Sequence, residues 1–340
     1  MTVAVHPRWA APGGRVLLSS EWALPADGPP RVAVGEHDAH VVAASRTQLR
    51  IVVPAAAEGG PMSVTVGDGP DAALSIEIAR TLTTGLHQVD NPAFDGLGRL
   101  YATQSGGPGT KVPAPLYRVT RDGIREPVAV EIANPTSLAL GPDGALYVSS
   151  RFEGTVYRVM TDDRVEVHAS ELGVPTGLAF GGDGSLYVGD RSGSVFRVSA
   201  TKQVDTFASL PASVAAFHLA FGPDDCLYLT APTLASRDAI YRITPDRLVD
   251  VVYEGFGRPQ GLAFDSNGDL YVAEAAAGTA GLYRLKIGND GAPSTAELVV
   301  AVPAIIGVTF DPDGGIVMAS NDTIWRLDAD LRPYWPARIS

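Results

Sequence analysis

The chain has 340 residues, of which 45% are hydrophobic and 19% are charged. This length suffices for two ordinary domains or for one large all-β unit with a small additional module, and the composition can bury a core and is not that of a disordered chain. The formal net charge of −12 argues against nucleic-acid partners, because binding to a phosphate backbone requires clustered positive charge. No apolar run approaches the roughly 20 residues that span a bilayer, so we expect no membrane partner either.

The first 80 residues contain alternating apolar and polar stretches separated by turns, which predicts six or seven short strands in a small antiparallel sandwich. The order of features resembles the immunoglobulin-like IPT/TIG domain. Pro-Gly-Gly at 12–14 precedes an apolar strand, followed by V-x-V-G at 32–35, L-x-I-x-V-P at 49–54 and V-x-V at 64–66. The resemblance implies a spacer or interaction module over residues 1–80.

One motif recurs six times from residue 93 onward. Its clearest form is Leu-Ala-Leu-Gly-Pro-Asp-Gly-Ala-Leu-Tyr-Val at 138–148, and related copies occupy 93–101, 178–188, 219–229, 262–272 and 308–317. A period of roughly 43 residues with strand-type content is typical of a four-stranded propeller blade. We therefore predict an all-β fold, a six-bladed β-propeller over residues 81–340 preceded by a small immunoglobulin-like β-sandwich.

Features shared by the copies are interpreted as structural. The turn after the first strand is Pro-Asp-Gly or a near relative, and Asp225 replaces its glycine in one copy because aspartate tolerates the left-handed conformation. An arginine in the third strand of every copy is expected to pair with carboxylates. These arginines are Arg118, Arg158, Arg197, Arg242, Arg284 and Arg326. Residues 79–87 are predicted to supply the outer strand of the last blade, with residues 334–339 as the alternative.

Residues that depart from the repeat are the better functional candidates. Asp90, Thr136, Thr176 and Gln260 stand where inner strands begin, and His218 stands one position further on. Asp190 and Glu274 end second strands, and Arg151 begins a loop that faces the same channel. We expect such positions to ring one channel mouth. The alternative is that Asp190 and Glu274 hold turns or pair with arginines and that His218 is a satisfied core histidine.

The six copies, their Pro-Asp-Gly-x-Leu-Tyr-Val core and the segment Asp90-Asn-Pro-Ala-Phe resemble the senescence marker protein, gluconolactonase and luciferin-regenerating superfamily, and equally the NHL-repeat propellers. The resemblance covers about residues 80–340. It implies a divalent cation in the channel, and the matching metal positions are Asp90, Thr176 and Gln260. Thr136 matches a substrate-binding asparagine. Only Asp90 keeps a negative charge at its position.

Two functions follow as hypotheses. The first is a gluconolactonase-like hydrolase or binder of a small polar molecule at the channel mouth, with lactone or ester hydrolysis by an activated water. The second is a non-catalytic NHL-type scaffold that binds a protein at the mouth. For the first, we expect one divalent cation (Ca²⁺, Mg²⁺, Mn²⁺ or Zn²⁺) on Asp90 and Gln260, and no organic cofactor. Its catalytic residues would be Asp90, His218 and Glu274, and its substrate-binding residues Thr136, Thr176, Asp190, Arg151 and Gln260.

The cysteine content and the first residues of the sequence indicate the cellular compartment in which the protein is found. The single cysteine, Cys226, excludes an internal disulfide framework and a thiolate zinc cage, and its place on a blade strand predicts a buried, inert thiol. The first residues show neither a basic start nor an apolar segment typical of a secretory signal. We therefore expect a cytoplasmic protein as the sequence is written, and an extracytoplasmic one if the sequence is a trimmed mature form.

Overall fold

The structure is a computed structural model that describes residues 4–21, 28–67, 74–107, 110–288, 293 and 295–336. These residues form β-strands, turns and irregular segments, and none of them is helical. It follows that no helix in this part of the chain has the length and apolar character needed to cross a membrane.

Eight strands come from the N-terminal region. They are β1 (Ala4–His6), β2 (Trp9–Ala10), β3 (Arg15–Ser19), β4 (Val32–Val34), β5 (His37–Ala44), β6 (Gln48–Val52), β7 (Gly60–Val66) and β8 (Leu74–Ile78). In strands such as β3 and β6, every second side chain is buried, as expected for strands with one face on a core. The buried side chains of β3, β4, β6, β7 and β8 share one hydrophobic cluster.

The following strands carry the repeat. They are β9 (Arg80–Thr83), β10 (Ala93–Phe94), β11 (Leu100–Thr103), β12 (Leu116–Val119), β13 (Arg125–Pro127), β14 (Pro135–Leu140), β15 (Leu146–Ser150), β16 (Thr155–Val159), β17 (Val165–Ala169), β18 (Pro175–Phe180), β19 (Leu186–Asp190) and β20 (Ser194–Val198). The series continues with β21 (Val204–Ser209), β22 (His218–Phe221), β23 (Leu227–Thr230), β24 (Asp238–Ile243), β25 (Val249–Phe256), β26 (Pro259–Phe264), β27 (Asp269–Glu274), β28 (Gly281–Lys286), β29 (Glu297–Ala301), β30 (Ile305–Phe310), β31 (Ile316–Ser320) and β32 (Ile324–Leu327).

These strands form a propeller arrangement with five separate four-stranded sheets, in the orders β10-β11-β12-β13, β14-β15-β16-β17, β18-β19-β20-β21, β22-β23-β24-β25 and β30-β31-β32-β9. Neighbouring strands within each sheet are antiparallel. Because each copy of the repeat supplies two apolar inner strands followed by half-exposed outer ones, the sheets pack face to face through the inner strands. The predicted all-β propeller is confirmed at this level.

The prediction of six separate blades behind a distinct immunoglobulin-like module is not confirmed. Strands β26–β29 belong to a twelve-stranded sheet that runs on into the N-terminal region. The junction is β2, whose Trp9 pairs in parallel with Val300 of β29 and with Glu77 of β8. The physical reason is that the outer edge of β29 presents unpaired N–H and C=O groups, and β2 satisfies them. The two predicted units therefore share one hydrogen-bonded sheet.

Strand β9 confirms the predicted closing strand. It pairs antiparallel with β32, placing Thr81 opposite Trp325. Leu82 is buried in a cluster that also contains Phe94 of β10 and Val317 of β31. The hydrogen bonds of β9 therefore complete the last sheet, and the packing of Leu82 joins that sheet to the first. The alternative closing segment lies elsewhere: Tyr334 donates its backbone N–H to the Phe264 carbonyl at 3.0 Å, and residues 337–339 fall outside the described residues.

All six third-strand arginines pair with carboxylates, as predicted. The pairs are Arg118–Asp163, Arg158–Asp143, Arg197–Asp183, Arg242–Asp224, Arg284–Glu297 and Arg326–Asp311. In three copies the tyrosine of the Leu-Tyr strand also donates its hydroxyl to the turn aspartate, for example Tyr228 to Asp224 at 3.0 Å. Asp143 and Asp224 thus each tie their turn to two later strands of the same sheet.

Replacing Asp224 with asparagine should lower stability at neutral pH and weaken its acid dependence. Burial alone would raise the pKa of Asp224, but hydrogen bonds from Arg242, Cys226 and Tyr228 outweigh it and hold the pKa below 3.8. A depressed pKa stabilises the folded chain above about pH 4 and loses that contribution as the pH falls through the folded value. We expect a melting temperature lower by about 1–3 °C at pH 7 and a smaller difference at pH 3. Asp225→Asn, at a turn position with φ of 56°, is the control; an equal effect of both substitutions would contradict the assignment.

Candidate ligand site at the channel mouth

A cavity of about 240 Å³ lies where inner strands begin. We call it the mouth cavity. Thr176, Gln260 and Ile306, each the second residue of its inner strand, form part of its wall. The polar residues of the wall are Gln88, Arg151, Thr176, Arg191, Gln260 and Asn321, and the remaining wall is apolar. None of the described residues that line it is an aspartate or glutamate.

Three of the predicted substrate-binding residues meet in this cavity, namely Arg151, Thr176 and Gln260. They come from three copies of the repeat and meet because each inner strand starts at the same end of the channel. Thr176 is held in place, since its hydroxyl accepts the backbone N–H of Phe217 at 3.0 Å. The predicted Thr136 is buried, with its hydroxyl 3.3 Å from the Asn134 carbonyl, and it does not line the mouth cavity.

A buried polar chain runs inward from the cavity wall. The side-chain oxygen of Gln260 lies 3.2 Å from Nε2 of His218, and Nδ1 of His218 bonds Oδ1 of Asp90. His218 is 0% exposed and Asp90 3%. In this contact Nε2 is the donor, because an amide oxygen only accepts. Asp90, His218 and Gln260, which the sequence predicted to ring the channel mouth, thus lie within hydrogen-bonding distance of one another in a chain, and only Gln260 of the three lines the mouth cavity.

Asp90 is fixed by the residue that follows it. Its Oδ1 accepts the backbone N–H of Asn91 at 2.7 Å. The Asn91 side chain in turn donates to the Leu262 carbonyl of β26 at 3.2 Å and accepts the Val308 N–H of β30 at 2.9 Å. One amide therefore anchors the segment before β10 to two other inner strands. Sequence reasoning gave Asn91 no role, although an asparagine directly after a candidate channel carboxylate was visible in the sequence.

Asp190 and Glu274 accept hydrogen bonds from backbone N–H groups and do not face the mouth cavity. Oδ1 of Asp190 accepts the N–H of Val174 at 2.8 Å, and Glu274 accepts the N–H groups of Arg258 at 3.0 Å and Ala276 at 2.6 Å. Burial raises the pKa of Glu274, and these backbone hydrogen bonds act in the opposite direction. Both carboxylates hold turns, as the alternative interpretation expected. Neither lines the mouth cavity and neither hydrogen-bonds His218, so the structure does not group Glu274 with Asp90 and His218.

The donor set around Asp90 does not fit a divalent cation. Asp90 is the one carboxylate at this place among the described residues, and its Oδ1 already accepts from His218 and Asn91. The Gln260 oxygen faces Nε2 of His218. In the part of the chain that the structure describes, no three His, Cys, Asp or Glu side chains are grouped to hold a metal. Hard cations need six or more oxygen ligands, so no step of a reaction is assigned to a metal here.

Three polar residues of the mouth cavity were missed by sequence reasoning: Gln88, Arg191 and Asn321. A signal existed for Arg191, because the short loops Arg151-Phe-Glu-Gly and Arg191-Ser-Gly both begin with arginine directly after a second strand. Burial and the nearby charge of Arg191 lower the pKa of Arg151. Gln88 lies before the first copy of the repeat, so no alignment with other copies could point to it.

Comparisons with known proteins find similarity at the level of structure. No protein-family model and no curated protein sequence matches the chain. A Bacteroides thetaiotaomicron protein of unknown function is 16% identical with a TM-score of 0.59, covering 96% of this chain and 97% of its own. A Xanthomonas campestris gluconolactonase is 16% identical with a TM-score of 0.52, and the match covers 75% of this chain and 87% of the gluconolactonase chain.

Virginiamycin B lyase from Staphylococcus aureus is 16% identical with a TM-score of 0.53, covering 92% of this chain and 99% of the lyase. The chain has a β-propeller fold. At such identities the likeness shows the fold alone, because one fold supports many unrelated functions. Gluconolactonase activity and virginiamycin B lyase activity are therefore attributed to those two proteins alone.

Proposed function

We propose that the protein binds a small polar molecule in the mouth cavity. The observation that carries the proposal is the meeting of Arg151, Thr176 and Gln260, from three copies of the repeat, in one cavity wall. Concave sites with a few convergent polar groups in an otherwise apolar wall are the usual form of small-molecule sites. The solved propellers of similar fold include a gluconolactonase and a lyase, which is consistent with a ligand site on this scaffold.

We also propose a sixth blade and an N-terminal immunoglobulin-like module. Inner strand β26 packs beside inner strands β22 and β30, which supports strands β26–β29 as the blade that completes a six-bladed ring over residues 81–340. The single hydrophobic cluster shared by β3, β4, β6, β7 and β8 supports an immunoglobulin-like module of the IPT/TIG kind over residues 1–80.

Lactone or ester hydrolysis is a second candidate, and the buried pair Asp90–His218 directly behind Gln260 favours it. In this reaction Gln260 has moved away, His218 carries its hydrogen on Nδ1 and donates it in a hydrogen bond to Asp90, and the free Nε2 takes a proton from water while the water oxygen bonds the carbonyl carbon. The carbon–oxygen bond to the leaving group then breaks, and the leaving oxygen receives that proton. Asp90 stabilises the imidazolium throughout. The Gln260 side chain must move aside first, because it occupies the approach to Nε2.

Blocking the mouth cavity tests the proposed function. Ala216 lines the cavity, so Ala216→Phe should abolish stabilisation by ligands that bind there. Ala277→Phe, at an exposed loop position, is the matched control. The probes for thermal melts are neutral lactones, esters and polyols, and small acids. A ligand present at a hundredfold excess over its Kd should raise the melting temperature of the wild type and of the control by roughly 3–6 °C.

The same melts separate the alternatives. Shifts that survive Ala216→Phe, or no shift with any small molecule, would refute the proposal; a protein that binds at the mouth would then favour the NHL-type scaffold. Calcium, magnesium, manganese and zinc chlorides are included and should give no shift that depends on Asp90. Acid release from the lactones and esters tests hydrolysis, which should be lost in His218→Asn.

A further inference from the structure

The mouth cavity carries positive charge in a protein of negative net charge. Arg151 and Arg191 both line it, and no acidic residue is present among the described lining residues, whereas the whole chain has a net charge of −12. An uncharged ligand would gain little from two guanidinium groups in one small cavity. The local charge therefore points to a ligand of the opposite sign.

The two arginines differ from the others of the propeller. Each third-strand arginine has a carboxylate within 4.0 Å, whereas neither Arg151 nor Arg191 forms an ion pair with any described residue. Arg191 donates to the Val214 carbonyl at 3.1 Å. Arg151 is partly buried, and its guanidinium stays protonated at neutral pH. Two neighbouring cations without a counter-charge repel each other, and a bound anion would relieve that repulsion.

Gln88 provides an independent second observation. Its side chain is 1% exposed, and neither Nε2 nor Oε1 has a hydrogen-bond partner. Its backbone is fixed on both sides, because its N–H donates to the Asn321 carbonyl at 2.9 Å and its own carbonyl accepts from the Asn321 side chain at 2.7 Å. A buried amide without partners is rare in native proteins. Since Gln88 lines the cavity, a ligand there can supply both an acceptor and a donor.

We propose that the ligand of the mouth cavity is a small organic anion that carries a hydroxyl group, with its carboxylate or phosphate between Arg151 and Arg191 and its hydroxyl against the amide of Gln88. Planar guanidinium groups bind either oxyanion through paired, charge-assisted hydrogen bonds. A cavity of about 240 Å³ admits a molecule of a few carbon atoms, since a single water needs only ~10–15 Å³. The inference rests on the proposed function and adds the chemical class of the ligand.

Calorimetric titrations at constant ionic strength test the inference. The probes are glycerate, lactate, malate and citrate for carboxylates, inorganic phosphate and glycerol 3-phosphate for phosphates, and glycerol as the neutral match. At least one anion should bind, and Arg151→Gln and Arg191→Gln should each weaken its Kd about tenfold or more. Arg46→Gln, which removes an exposed arginine of the N-terminal region, should leave the Kd unchanged. Gln88→Leu should weaken glycerate more than lactate, which has one hydroxyl fewer.

The outcomes are distinct. Binding by the carboxylates alone or by the phosphates alone identifies the anion, and both support the inference. Binding of none of the six anions, or equal Kd values in Arg151→Gln and Arg46→Gln, overturns it. If neutral molecules bind in a manner that Ala216→Phe abolishes while the anions do not, the proposed function stands and this inference fails. Melting temperatures without ligand show whether the variants fold. Arg151→Lys keeps the positive charge but loses the paired donors of the guanidinium group, so it should bind the anion with intermediate affinity.

Discussion

Asp90→Ala is expected to lower the free energy of unfolding by about 3–5 kcal/mol, because it leaves one partner of a buried polar pair without the other. His218 is fully buried and hydrogen-bonds Asp90 through Nδ1. Without the carboxylate, the buried Nδ1 of His218 and the N–H of Asn91 lose their hydrogen-bond partner. Urea denaturation of the wild type and the variant measures the loss.

Two further variants separate this pair from a general effect of mutating the core. Asp90→Asn keeps an oxygen that can accept from Asn91, so its loss should be smaller, about 1–2 kcal/mol. In the double variant Asp90→Ala/His218→Leu, no histidine remains to be left unpaired, and the combined loss should fall short of the sum of the single losses by about 1–3 kcal/mol. Additive losses would show that the two residues do not interact and would remove the basis for hydrolysis at this place.

Leu82→Asp is expected to destabilise the protein by about 3–5 kcal/mol, because it places a charge in an apolar contact and removes buried hydrophobic area. Leu82 lies in strand β9 and packs in the same cluster as Phe94, Leu100, Val317 and Ile324. This cluster joins the first and last sheets of the propeller. Unfolding followed by far-UV circular dichroism in urea gives the difference.

Thr84→Asp is the matched control for that substitution. Thr84 lies just beyond β9 and is exposed, so the same charge there should change stability by no more than about 0.5 kcal/mol. If Leu82→Asp were as mild as Thr84→Asp, the packing of Leu82 would not hold the first and last sheets together in solution.

Much of the fold was predictable because it repeats. A turn of the Pro-Asp-Gly kind between two apolar strands, seen in six related copies, fixes strand positions far better than a single occurrence could. The same logic explains Asp225, whose φ of 56° is the left-handed value expected where the other copies have glycine. The junction of β2 with β29 could not be predicted, since it consists of two residues, Trp9 and Ala10, paired with residues almost 300 positions away. Neither periodicity nor turn chemistry marks such a contact.

The candidate site was predictable to the extent that it lies on the repeat. Residues at the starts of inner strands converge by the symmetry of the fold, which is why Gln260 and Thr176 line one cavity and why His218 lies beside Asp90. The direction of a side chain at the end of a second strand is not fixed by that symmetry. Asp190 and Glu274 lie opposite Pro175 and Pro259, where the register of each sheet shifts, and the backbone N–H groups freed there attract the carboxylates.

The pairing of β9 with β32 also bears on the order of folding. Thr81 and Trp325 are opposite each other but about 240 residues apart in the chain, and contacts of such long sequence separation form slowly because the intervening chain must first be ordered. A ribosome releases β9 long before β32 exists. Because β32 is the only described strand that pairs with β9, the newly made strand has both edges unpaired while the intermediate sheets assemble. The final sheet is therefore a point where a nascent chain is open to mispairing with other strands.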